Sequence, residues 1–134
     1  MSEVDELAAW LTRIWDEQEN IALYTAGWDR SGRKRASGQW VRTGISSLED
    51  DERRSIIYSD SGQVSEAVAD HIARHDPATV LARIAADRAI LAECSIVLEN
   101  KDPKRLGERI LAWAVVRQLA SVHRDRPNWR EAWQ

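Results

Sequence analysis

Residues 70–81 read DHIARHDPATVL, and the fold turns on where this segment is cut. The residue before a proline avoids helical backbone, so one helix ends by Asp76 and another begins at Pro77. Asp76 supplies a capping oxygen, and Pro77 lacks an N–H that the first helical turn would leave unpaired anyway. The same pair recurs as Asp102–Pro103. These two marks divide the second half of the chain into helices predicted over about 64–75, 77–99 and 103–123. In the long middle helix, Val80, Leu81, Ile84, Leu91, Cys94 and Leu98 recur at three- and four-residue steps, the period of one helical face. The helix over 103–123 is apolar nearly all round (Ile110, Leu111, Trp113, Val115, Val116, Leu119), the pattern of a buried helix. A short turn or helix over about 127–133 ends the chain, with Trp129 and Trp133 one helical turn apart.

Upstream, residues 3 to about 24 form an amphipathic pattern. Leu7, Trp10, Leu11, Ile14 and Ile21 share a stripe, acids crowd the first turn, and Trp15 lies off the stripe's centre. Between about 25 and 62 the texture changes to glycine-rich turns and short alternating runs. GQWVRTG (38–44) and RRSIIYS (53–59) read as an antiparallel strand pair joined by an acidic loop, SSLEDDE (46–52), and a further short strand is conceivable near GWDR (27–30). Two strands alone are marginal and must lie on helices. The expected fold is α+β and mostly α, a single domain over 1–134 with about four helices and a small antiparallel two- or three-stranded sheet.

At 134 residues the chain can bury a core without staples. Its formal net charge of −3 is not that of a polycation drawn to nucleic acid or anionic lipid, so any such binding needs a local basic patch. The single cysteine, Cys94, excludes an intrachain disulfide and a multi-cysteine zinc site, and points to a reducing cytoplasm. The acidic start lacks the pattern of a signal peptide, and no apolar run is long enough to span a membrane. Arg outnumbers Lys sixteen to three, and seven Trp stand beside no Phe. The Arg excess speaks of a GC-rich genome rather than of mechanism.

Four constellations can carry chemistry. His71 and His75, at i and i+4, share a helical face and suit a metal held by two imidazoles. Asp70, Asp76, Glu66 and the distant His123 are the further ligands available, although Asp76 is already needed as a cap. The expectation is that both rings are turned into the fold: His75 at the negative helix end, His71 bonded to a neighbouring helix or the strand pair. Second, Arg30, Arg33, Lys34, Arg35 and Arg42, flanked by Trp28 and Trp40, can contact phosphates and stack on bases; a solvated loop neutralised by nearby acids is the plainer reading. Third, Trp15, Trp129 and Trp133 are candidate anchors for a protein partner, against packing of the two C-terminal tryptophans on the first helix. Fourth, Cys94 on an apolar stripe reads as a buried, inert thiol. No phosphate loop, GxGxxG or nucleophile elbow occurs.

EAVADHIARHDPATVLARIAADRAIL (66–91), DELAAWLTRIWDEQENIA (5–22) and HRDRPNWREAW (123–133) resemble a family of small uncharacterised proteins from actinobacteria and their phages. The resemblance brings no activity. It implies paired cysteines in many relatives, suggestive of a zinc knuckle, and residues 95–110 here contain none. The leading expectation is a cytoplasmic, non-enzymatic protein-binding or accessory factor, phage-encoded and acting on a host or phage protein, with no cofactor and no membrane. A homodimer is the alternative assembly. The rival functions are nucleic-acid binding through the 30–42 loop and a metal-dependent hydrolase using His71 and His75.

Overall fold

Residues 2–26, 38–44, 47–51, 53, 55–57 and 65–134 are described in the structure, a computed structural model. The first helix, α1, is Glu3–Thr25. Its start is held by a reciprocal cap. The Ser2 hydroxyl accepts the Asp5 N–H at 3.2 Å, while the Ser2 hydroxyl and amide donate to the Asp5 carboxylate at 2.6 and 3.0 Å. Strand β1 is Trp40–Thr43, β2 is Ser47–Asp50 and β3 is Ser55–Ile57, in the order β1-β2-β3. Both pairings are antiparallel. Trp40 stands opposite Asp50, and a bulge at Leu48/Glu49 shifts the register against β3.

The acidic segment predicted as a loop is therefore the sheet's central strand. Leu48 explains it: this single apolar residue is fully buried, and Asp50 on the same face of the alternating strand is buried with it. The short strand expected near 27–30 lies outside the described residues.

Helix α2 is Glu66–Arg74, capped by the Ser65 hydroxyl, which accepts the Val68 N–H at 3.2 Å. Helix α3 is Pro77–Glu99 and α4 is Leu106–Ser121. Both Asp-Pro marks act as predicted, though the second starts a single 3-10 turn, Pro103–Arg105, before α4 begins. Among the described residues the architecture is α+β and mostly α, with four α-helices and a three-stranded antiparallel sheet.

The chain forms two compact units, and α1 and α3 contribute to both. The first comprises Met1–Trp15 and Ala85–Gln134. Its buried side chains include Leu7, Trp10, Leu11, Cys94, Val116 and Trp133. Here the C-terminal tryptophans join α1: Trp10 lies 5.4 Å from Trp129 and 5.3 Å from Trp133 by ring centroids, all at tilted angles. The Trp10 indole donates to the Pro127 carbonyl at 2.9 Å, and the Arg130 guanidinium pairs with Glu6.

The second unit is Asp16–Ile84. Helix α2 lies on β1 and β2. Gly38 allows the chain to enter β1 close to the start of α3: its φ is +75°, and a Cβ there would stand 3.1 Å from the Cβ atoms of Ala26 and Pro77. Ile21, predicted on the buried stripe, is 57% exposed. In the second half of α1 the buried line therefore runs through Ala22, and through Ala26 just beyond the helix, instead of Ile21.

Candidate functional site

The most structured polar cluster sits where β1, α2 and α3 meet in the second unit. Asp76 is buried. One carboxylate oxygen accepts the Thr79 N–H at 2.8 Å and closes the first turn of α3; the other accepts the Trp40 N–H at 3.0 Å and holds the first residue of β1. The Gly38 carbonyl accepts the Ala78 N–H at 3.1 Å beside it. Both oxygens of Asp76 are thus engaged in bracing α3 against β1.

One turn away, Arg42 on β1 reaches α2. Its Nε donates to Asp70 at 2.6 Å, a second nitrogen lies 3.1 Å from Glu66, and a third donor reaches the Gly44 carbonyl at 2.9 Å. The strand-to-helix bond expected of His71 is made by Asp70 instead. Arg42 is consequently neutralised by two acids and is not presented to a phosphate. Trp40 is half-buried. The other basic residues of that candidate site, Arg30, Arg33, Lys34 and Arg35, and Trp28, lie outside the described residues.

His71 and His75 are both exposed, which corrects the expectation that they turn into the fold. The inward side of α2 is taken by Ala69, which is fully buried, and Asp70, so the imidazoles fall on the opposite side. Their rings stack, with centroids 4.3 Å apart and planes tilted by 35°. His75 is the residue that terminates α2, and its Nδ1 bonds the His71 carbonyl at 2.8 Å. His123 belongs to the first unit and is half-buried. Among the described residues no three His, Cys, Asp or Glu side chains gather as a metal centre.

The proposed tryptophan anchors divide. Trp15 is 1% exposed and Trp133 is 2% exposed, so both are core residues rather than presented side chains. The off-stripe position of Trp15 is nonetheless an interior one. Trp129 is half-buried and lines a cleft of about 480 Å³ with Trp10, Trp133, Arg13, Glu6 and Arg130. Cys94 is buried, and desolvation, helped by the charge of Glu93, pushes its thiol above the ordinary cysteine value. It is a core residue and a poor nucleophile.

A family of unknown function, DUF6221, matches residues 4–134. The chain belongs to the DUF6221 family. No curated protein and no solved structure matches the chain. In this DUF6221 chain the match takes in every element from α1 to the C-terminal turn.

One surface feature of this DUF6221 protein escaped the sequence reading. Helix α4, read as buried all round, buries Ala112, Val116 and Ala120 and leaves Leu106, Ile110 and Leu111 at 54–67% exposure, with Val122 just beyond it at 76%. In the middle of α4 apolar residues stand on nearly every side, so the sequence carries little mark of which face is covered. No helix of the described residues is long and apolar enough to cross a membrane.

Proposed function

We propose that this protein is a non-enzymatic protein-binding factor that works through the outer face of α4. The observation that carries this reading is the exposed side formed by Leu106, Ile110, Leu111 and Ala114 and extended by Val122, with Gln118 as its polar member. Contiguous exposed apolar surface on a soluble protein marks an interaction site. The charged residue on that side, Arg117, is half-buried and donates its Nε–H to the Trp133 carbonyl at 3.2 Å, so a charged partner surface would be desolvated largely without compensation. The fitting occupant is an uncharged apolar helix stripe of another protein, packing ridge into groove along α4. Its resemblance to small actinobacterial and actinophage proteins suggests a host or phage protein as the source, and the lone cysteine suits a cytoplasmic setting.

The test compares wild type with Ile110→Lys/Leu111→Lys in capture from host lysate, with mass by light scattering alongside. Both positions are exposed, so the circular dichroism spectrum should not change. The expected result is a protein retained by wild type and released by the double variant. Retention unchanged by the two lysines, or none by either, rejects the assignment. A dimer mass for wild type that reverts to monomer in the variant identifies the occupant of this face as a second copy and rejects a foreign partner there.

A further inference from the structure

We propose that His71 and His75 form a two-point binding site for a late first-row divalent cation of the zinc, nickel or copper type. The inference is independent of the α4 face. It is distinct from a hydrolase centre, because no third protein ligand stands among the described residues and the remaining coordination positions fall to water.

Three features support it. First, the rings are already together, with centroids 4.3 Å apart on the solvent side of α2. Neither side chain is buried, so rotation of the His71 side chain can open the stack and bring its Nε2 to share one ion with the Nε2 of His75 at about 2.0–2.1 Å, the zinc–imidazole distance. Second, the tautomer of His75 is set. A carbonyl oxygen only accepts, so the 2.8 Å contact from Nδ1 to the His71 carbonyl puts the proton of the neutral ring on Nδ1. That leaves the Nε2 lone pair free and fixes the ring by a bond from its other nitrogen to a backbone carbonyl, the arrangement metal-ligating histidines use. Third, the site lies at the C-terminal end of α2, where unpaired carbonyls and the helix dipole favour positive charge. Asp70 and Glu66 are held by Arg42, so the donor set is nitrogen rather than oxygen. Imidazole nitrogen favours zinc, copper and nickel over magnesium and calcium.

The experiment is calorimetric titration of the full chain, free of any polyhistidine tag, with zinc chloride and separately nickel chloride. Wild type is expected to take up one ion per chain, unaffected by excess magnesium. His71→Ala and His75→Ala are each expected to weaken binding by roughly tenfold or more, with unchanged circular dichroism. In wild type, trace copper(II) should broaden the ring-proton resonances of His71 and His75 before any others. Absence of uptake, wild-type affinity in both variants, or broadening centred on His123 would each overturn the proposal.

Discussion

Asp76 and Trp40 are joined by a 3.0 Å bond from the strand's first backbone N–H to a carboxylate that also caps α3 at Thr79. One buried side chain therefore determines both where a helix begins and where a strand is anchored. Replacing Asp76 with Ala leaves two N–H groups without acceptors and is expected to cost about 2–3 kcal/mol. Asp76→Asn keeps one acceptor oxygen and should cost less. Urea denaturation of the three proteins checks this; an alanine variant as stable as wild type would refute the bracing role.

Arg42 with Asp70 gives a weaker expectation. The two side chains are 29% and 42% exposed, so solvent screens the pair, and a double-mutant cycle should return about 1 kcal/mol or less. The coupling should shrink further in high salt. A coupling of zero at low salt would mean that β1 is not tied to α2 through this arginine.

Trp133 packs at 5.3 Å from Trp10 and its backbone carbonyl accepts from Arg117 at 3.2 Å. It behaves as part of the core although it is the penultimate residue. Trp133→Ala is expected to cost about 3–5 kcal/mol, whereas Tyr24→Ala, at a position 83% exposed, should stay within about 0.5 kcal/mol. Thermal unfolding followed by tryptophan fluorescence separates the two. Equal midpoints would place the C-terminal turn outside the core.

Asp5 should titrate below the ordinary carboxylate value, because the Ser2 hydroxyl and then the Ser2 amide bond its charged form. A folded pKa below the unfolded one means that its contribution is present above the unfolded value and is lost as pH falls through the folded one. Ser2→Ala is expected to return Asp5 toward the ordinary value in an NMR titration. No movement of its titration on that substitution would show that the cap does not form in solution.

The candidate histidines show how far sequence reading reaches. Their i, i+4 spacing and the helix end at His75 are legible, because both follow from backbone geometry within one turn. Their exposure is not, since it depends on which side of α2 meets β1, and that is decided by Ala69 and by the Asp70–Arg42 bond between residues 28 positions apart. Ser47–Asp50 was hidden for a related reason: Leu48 alone carries the strand's apolar signal, and its acidic neighbours look like a loop until β1 and β3 pair on either side.

By itself the sequence determined the four helices and the two Asp-Pro starts, along with the strands around Trp40 and Ile56. Caps, proline restrictions and three- to four-residue periodicity are local interactions that a linear reading contains in full. Tertiary structure alone decided that Trp15 and Trp133 lie inside, that His71 and His75 lie outside, and which side of α4 remains uncovered. Each of these depends on surfaces brought together from distant segments, and an apolar residue has the same chemistry whether or not a partner arrives to cover it.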